Sequence, residues 1–198
     1  MDGKLKINKM FDSGVISEIR EFNREYHIDI AKRIILMTGE IEEYCLEDMI
    51  TKTDLIQTYS KRFDLNQPIT WQLSSFGGDV YEMFSLIDYI RLSPMKINTH
   101  VMGKAMSAAA MILVSGTGIR SASKYSTIMF HEASGFNYGK ISDQRAGIEH
   151  TEKMEKWVCE ILGNRTKKNA KWWTEKQKID MFFSPEEARE IGAIDLII

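Results

Sequence analysis

Cysteine, proline and long apolar runs are scarce in this sequence. Its 198 residues include two cysteines and three prolines. Cys45 and Cys159 have no partner at metal or redox spacing, which excludes a zinc finger and a dithiol couple and predicts reduced structural thiols in a cytosol-like compartment. No apolar run reaches the roughly 20 residues that cross a bilayer. The first residues lack the apolar core of a secretory signal, so we predict a cytoplasmic protein with no membrane partner.

Charge of either sign is also not in excess, since 26 basic and 28 acidic residues give a net charge of −2. The chain therefore has no overall basic footprint for nucleic acid, and none is predicted as a partner. The basic segment 164–178 with its two tryptophans leaves that alternative open locally, although a solvated surface that packs the tryptophans explains it more simply. The phosphate-loop pattern is absent, and no cofactor or metal is predicted.

What the sequence does contain is a regular alternation of apolar runs and helically spaced segments. Strands are predicted at 33–39, 68–74, 97–102 and 127–131, and helices at 13–23, 40–62, 80–92 and 141–162. Alternation of this kind indicates βα units around a largely parallel sheet, and hence the α/β class. Near the end of the chain, Ser184, Pro185, Glu187 and Gly192 have the spacing of a capping box and a C-terminal glycine, which predicts a short helix before a terminal strand.

A stretch of small residues from Gly103 to Gly116 follows the third predicted strand. We expect a turn at Gly103 and a helix that begins near Ser107. Small neighbours leave room for a substrate, and a helix N-terminus offers free N–H groups and the positive end of a dipole. This position suits a nucleophilic serine. The alternative is a buried alanine-rich helix with Ser107 as its N-cap.

Three further features complete a candidate site. Gly77 and Gly78 form a second strand–glycine–helix junction, which either directs N–H groups into a crevice or is only a tight turn. His131 ends the strand that follows the Ser107 helix, and parallel strand ends lie at one edge of a sheet. Asp180 precedes the last helix. Together with Ser107 these residues supply a nucleophile, a general base and an orienting acid, although His131 or Asp180 alone is as consistent with a structural role.

Five blocks occur here in the order and at the separations of the Clp protease proteolytic subunit (ClpP) family, which the chain resembles from about residue 30 to 198. The blocks are 34–41, 73–78, 103–107, 128–131 and 180–195. The resemblance implies an α/β fold of repeated βα units, like that of ClpP and crotonase, with a protruding handle helix. It also implies a serine endopeptidase with a Ser-His-Asp triad.

The resemblance also assigns roles to individual positions. It implies that Ser107 is the nucleophile, His131 the base and Asp180 the orienting acid. The family's oxyanion-hole positions correspond to the backbone N–H groups of Gly78 and Ala108.

Substrate and partners follow from the same resemblance. It implies that an extended substrate binds along Gly77, Asp79 and Val80, as in β-augmentation. It further implies self-association into heptameric or double heptameric rings that enclose a chamber for unfolded polypeptides. A separate AAA+ unfoldase would feed that chamber, and ATP use would belong to this partner. The single domain 1–198 would comprise an arm (1–29), a head (30–134 and 179–198) and a handle (135–178).

The sequence departs from the family pattern in four places, which suit a divergent member, with a phage or prophage origin as one hypothesis. The region before Arg33 lacks the family's turn-and-helix lead-in, which bears on the unfoldase contact. Phe76 stands where proline is usual, Glu132-Ala133 replaces Gln-Pro, and Ala108 replaces a common methionine. A catalytically weak or inactive ring subunit and a phage capsid-maturation protease on the same fold remain alternatives. An acyl-CoA enzyme of the crotonase type is disfavoured, because it would not need Ser107, His131 and Asp180 together.

Overall fold

Helices and strands alternate along the chain in the computed structural model, which describes residues 13–26, 28–63, 66–134 and 139–198. The helices are α1 (Ser13–Tyr26), α2 (Glu43–Arg62), α3 (Val80–Leu92), α4 (Ala108–Ser115), α5 (Ile141–Arg165), α6 (Ala170–Lys176) and α7 (Pro185–Glu190). The strands are β1 (Ile34–Ile41), β2 (Ile69–Gly78), β3 (Ile97–Met106), β4 (Arg120–Ala122), β5 (Thr127–Phe130), β6 (Met181–Phe183) and β7 (Leu196–Ile197). Part of the predicted arm, residues 1–12, lies outside the described residues, whereas its predicted helix corresponds to α1.

The strands form a sheet in the order β1-β2-β3-β4-β7, with every neighbouring pair parallel. Strand β5 adds to the far end of β3, also in parallel, and β6 pairs with β5 in the antiparallel sense. The α/β class and the largely parallel sheet predicted from the sequence are therefore confirmed. Strands β4 and β6, three residues each, are additions that the sequence analysis did not identify.

Helix α4 is the most deeply buried helix that bears on the site, since all eight of its residues are buried. A helix that is apolar on every side lies in the core, because no face is suited to water. Its alanines let it pack closely against β2 and β3. The strand order and this central helix together fix the position of the junction between β3 and α4, where Ser107 lies.

The prediction that the third strand ends in a turn at Gly103 is wrong. Strand β3 continues to Met106, and Gly103 adopts a left-handed φ of +79° inside it. The register with β2 shifts here, because Leu73 pairs with Val101 whereas Ser75 pairs with Ala105. The extra residues form a bulge, which glycine accommodates at low steric cost. The bulge carries the strand on towards Ser107.

The capping box predicted before the last helix is confirmed. The Ser184 hydroxyl accepts a hydrogen bond from Glu187 N (3.3 Å), and the Glu187 carboxylate accepts one from Ser184 N (2.8 Å). Gly192 follows the helix with a φ of +78°. Local signals sufficed here because every partner lies within a few residues in the sequence.

The long helix α5 buries fewer of its apolar residues than its sequence indicates. Met154 and Val158 are buried, but the apolar residues Ile148 and Trp157 are 52% and 49% exposed. The basic segment that follows buries Trp173, whose indole N–H donates to the Thr166 hydroxyl (3.0 Å). Packing of this tryptophan agrees with the structural explanation of that segment. Across the described ranges, no helix has both the length and the apolar character to span a membrane.

Candidate active site

Ser107 occupies the turn between β3 and α4 with an unusual backbone conformation, φ +54° and ψ −125°. A non-glycine residue at positive φ is strained and persists only where its surroundings hold it. Its N–H donates to the Met129 carbonyl (2.9 Å), and its own carbonyl accepts from Ala110 N (3.0 Å). The strand–turn–helix arrangement resembles a nucleophile elbow, although no glycine stands two residues on either side.

The Ser107 side chain does not cap α4. Its Oγ lies instead 2.7 Å from His131 Nε2, within hydrogen-bond distance. The N-cap alternative is therefore wrong for this side chain. Donation from the hydroxyl to Nε2 requires the imidazole tautomer with its proton on Nδ1, which leaves Nε2 as the proton acceptor.

His131 reaches Ser107 because of strand pairing. Met106 is paired with Met129 in the parallel β3–β5 ladder, so the residues that follow each strand lie side by side. The expectation that consecutive strand ends bring these two side chains together agrees with this geometry. The catalytic roles of Ser107 and His131 stay predictions.

Asp180 faces His131 for a similar reason. Phe130 pairs with Met181 in the antiparallel β5–β6 ladder, and one step further along the ladder His131 stands opposite Asp180. His131 Nδ1 and Asp180 Oδ1 are 3.9 Å apart, longer than a hydrogen bond. The Asp180 side chain is 61% exposed, against 25% for His131. Orienting contacts are often loose before substrate binds, so the geometry is compatible with a triad.

Gly77 lies directly beneath the Ser107 turn. A Cβ added to it would be 2.7 Å from Ser107 Cβ and 2.8 Å from the Met106 carbonyl oxygen, and its φ is +110°. Only glycine fits this position without displacing the turn. Gly77 was predicted to bind substrate, but it is not among the residues that line the cleft beside Ser107.

Gly78 and Ala108 both line that cleft, as the prediction of a shared oxyanion hole requires. Gly78 packs against the Ile41 backbone, where a Cβ would overlap the main chain. Ala108 opens α4, and the N–H groups of a first helical turn have no carbonyl partner in a preceding turn. The two junctions approach closely, since Ala108 N lies 3.1 Å from the position of a Gly77 Cβ. Their role as oxyanion donors stays a prediction.

Asp79 and Val80, the other predicted substrate-binding residues, also line the cleft. The Asp79 carboxylate caps α3 by accepting from Tyr81 N (2.7 Å) and Glu82 N (3.2 Å). This cap fixes the course of the chain beyond the glycine pair. Asp180 is not among the lining residues.

The cleft has a volume of about 450 Å³, and its far wall comes from α5 and from the end of α6. Glu155 and Gln177 are polar residues of this wall that the sequence analysis did not identify. Glu155 Oε2 accepts a hydrogen bond from Ala133 N (3.0 Å), two residues beyond His131. Burial raises the pKa of Glu155, the Ala133 N–H opposes this, and the nearby Glu132 charge adds to it. The sequence contained one indication that Glu155 faces inward, because its helical spacing places it on the same face as the buried residues Val158 and Leu162.

In the part of the chain that the structure describes, no group of three or more His, Cys, Asp or Glu side chains is arranged to hold an ion. The hydroxyl–imidazole contact between Ser107 and His131 is of the kind that supports proton transfer and nucleophilic attack.

Comparison with known proteins gives a consistent result. The model of the family described as Clp protease matches residues 20–198. A relative in Rhodococcus jostii (strain RHA1), the ATP-dependent Clp protease proteolytic subunit 3, is 30% identical over 168 residues. That match covers 84% of this chain and 81% of the relative.

Proposed function

This chain belongs to the Clp protease family, and on that premise we propose that it is a serine endopeptidase with Ser107 as its nucleophile. Membership of the family indicates a ClpP-like peptidase. The observation that carries the finer assignment is the 2.7 Å separation between Ser107 Oγ and His131 Nε2. A serine hydroxyl is a weak nucleophile until an adjacent base accepts its proton, and this contact supplies that base.

The proposed reaction follows acyl-transfer chemistry. Ser107 Oγ attacks the carbonyl carbon of a substrate peptide bond while His131 Nε2 takes the hydroxyl proton. The imidazolium then gives this proton to the departing amine, and water later releases the acyl group from Ser107 by the reverse proton path. The Asp180 carboxylate stabilises the imidazolium by its negative charge across the 3.9 Å that separate it from His131 Nδ1. The N–H groups of Gly78 and Ala108 would stabilise the oxyanion, and one such donor is worth about 100- to 1,000-fold in rate.

We further propose that the chain acts on unfolded polypeptides inside a self-associated ring, of seven subunits or two stacked sevens, fed by an AAA+ unfoldase. The Rhodococcus jostii relative is named as an ATP-dependent Clp protease proteolytic subunit, which supports this proposal. Exposed apolar side chains on the proposed handle also support association, since Ile141, Ile148 and Trp157 are each about half exposed or more. The division into arm, head and handle belongs to the same proposal.

The test is labelling by a fluorophosphonate, which reacts with an activated serine hydroxyl. We expect the parent protein to be labelled at Ser107 and to hydrolyse a fluorogenic peptide, and Ser107→Ala to lose both activities while its assembly state stays the same. Ser85→Ala is the matched control, because the hydroxyl of this exposed serine donates within α3 to the Tyr81 carbonyl (2.9 Å) and does not line the cleft beside Ser107. Undiminished hydrolysis by Ser107→Ala would refute the assignment.

A weakly active or inactive ring subunit is a second candidate, and the long His131–Asp180 separation favours it. At 3.9 Å and with a largely exposed carboxylate, the third member of the triad is loosely held. This alternative predicts an assembled protein that the fluorophosphonate leaves unlabelled. The same labelling experiment therefore separates the two candidates.

A further inference from the structure

The inner part of the cleft beside Ser107 combines apolar walls with acidic charge. Met111, Met154 and Val158 contribute buried apolar surface to it. Its acidic lining residues are Asp79 and Glu155, and none of the described residues that line it is lysine or arginine. His131 is the lining residue that can carry positive charge. Asp79 is exposed and accepts both capping hydrogen bonds of α3 on Oδ1, whereas Glu155 is partly buried and therefore has the greater need of a cationic partner.

The Glu155 carboxylate is only partly satisfied. Oε2 accepts from Ala133 N, while Oε1 has a 4.0 Å contact with the Cys159 thiol, a weak donor. Among the described residues it forms no ion pair within 4.0 Å. The charge of a protonated His131 reaches Glu155 only from beyond ion-pair distance, so the partly buried carboxylate still lacks a direct cationic partner, and a cationic ligand would relieve that cost.

Gln177 provides an independent observation at the same wall. It lines the cleft, is only 2% exposed, and its Nε2 donates to Cys159 Sγ (3.2 Å). Its Oε1 is buried and has no hydrogen-bond partner among the described residues. A buried acceptor without a donor is uncommon and costs free energy. The wall therefore presents an acceptor at Glu155, and the buried Gln177 oxygen lies in the same wall without a donor.

We propose that this cleft binds a lysine or arginine side chain of the substrate, namely that of the residue whose carbonyl Ser107 attacks. This inference rests on the proposed peptidase function. Long basic side chains have an apolar stem and a donor-rich cationic head, which match the methionine-lined walls and the Glu155 carboxylate. An aliphatic side chain would fill the same apolar volume but would leave Glu155 without a cationic partner. Glu155 is then a specificity-determining residue.

The proposal is tested with two peptidyl diphenyl phosphonates that differ only in the side chain at the reacting position. One carries the lysine side chain, and the other carries norleucine, which keeps the linear stem and lacks the ammonium. In each labelling reaction Ser107 Oγ forms a bond to phosphorus and phenol leaves with the hydroxyl proton, so the rate constant reports recognition in one step. For the parent protein we expect the lysine probe to label about tenfold faster, as a charge-assisted hydrogen bond would give.

Glu155→Gln removes the charge but keeps an oxygen that can accept from Ala133 N. We expect the lysine-to-norleucine ratio to fall about tenfold towards unity in this variant. Glu152→Gln is the matched control, since Glu152 is exposed on the same helix and does not line the cleft. The ratio of the control should equal that of the parent. A purely structural role of Glu155 would change the two probes alike and leave the ratio unaltered.

Two results would overturn the inference while the proposed function stands. One is a parent protein that reacts with a general fluorophosphonate but prefers the norleucine probe. The other is an unchanged ratio in Glu155→Gln. Failure of the fluorophosphonate to label Ser107 in the parent would instead refute the proposed function and this inference together. The ratio in the parent needs no variant, so the proposal stays testable even if Glu155→Gln folds poorly.

Discussion

Replacing Gly77 with alanine is expected to disable Ser107 without a direct change to any catalytic group. The added Cβ would lie 2.7 Å from Ser107 Cβ and 2.8 Å from the Met106 carbonyl oxygen. Non-bonded carbon atoms settle about 3.5–4.0 Å apart, so the Ser107 turn must retreat by about 1 Å. A misplacement of that size costs about 100-fold in rate. We therefore expect Gly77→Ala to react with a fluorophosphonate about 100-fold more slowly than the parent.

The left-handed backbone at Gly77 gives the substitution a second effect, a loss of stability, which must be separated from the steric displacement of Ser107. Alanine at positive φ costs about 1–2 kcal/mol wherever it occurs. Gly39→Ala is the matched control, since Gly39 has a φ of +85° and a Cβ there would meet nothing within 4 Å. Gly39→Ala should lose only the backbone contribution in thermal melts and Gly77→Ala somewhat more because of its clash, but only Gly77→Ala should lose reactivity beyond what Gly39→Ala loses. If Gly77→Ala were labelled within about threefold of Gly39→Ala, the steric argument would be wrong.

Two further predictions follow from the acidic residues. Asp180→Asn should lower kcat/KM about tenfold, because Asp180 is 61% exposed and 3.9 Å from His131. Replacement of a buried triad aspartate costs roughly 10,000-fold by comparison. A loss beyond about 1,000-fold in peptide hydrolysis would contradict this prediction and would show that the carboxylate closes on His131 during the reaction. Burial alone would raise the pKa of Asp195, but hydrogen bonds and charge from Arg120 outweigh it and lower that pKa. The interaction of Asp195 with Arg120 therefore stabilises the fold above the unfolded-state pKa of about 3.9, and this stabilisation is lost as pH falls through the lower folded-state pKa. Asp195→Asn should consequently reduce Tm by about 3 °C at pH 7 and by progressively less below about pH 4. Melting curves that show a constant difference from pH 7 to pH 3 would contradict this account.

The features that the sequence predicted well are those encoded locally or by chain order. The helix α3 has the predicted bounds 80–92, and the capping box of α7 involves residues three apart. The proximity of Ser107 to His131 could also be inferred, because parallel pairing of consecutive strands brings their ends to one edge. Pattern and topology were sufficient in each case.

Other features depend on contacts that no local pattern encodes. The bulge at Gly103 reflects the fit between β2 and β3, which differ in residue count over the same span. The approach of Glu155 to the loop after His131 depends on how α5 packs against the head of the fold. The steric role of Gly77 is visible only once Ser107 is placed above it. Trp157 is exposed although an apolar residue is expected to be buried. Helical periodicity identifies an apolar face but does not indicate whether another element covers it.

The parallel pairing of β3 with β5 has a consequence for tolerance to mutation. The hydrogen bond from Ser107 N to the Met129 carbonyl spans 2.9 Å and involves only main-chain atoms. The distance between the proposed nucleophile and its base is thus set by peptide groups, which every amino acid except proline provides in full. Neighbouring side chains on β5 can drift during evolution without altering the reach of His131. Mutational sensitivity should instead concentrate at positions such as Gly77, where the main chain itself leaves no space for a substituent.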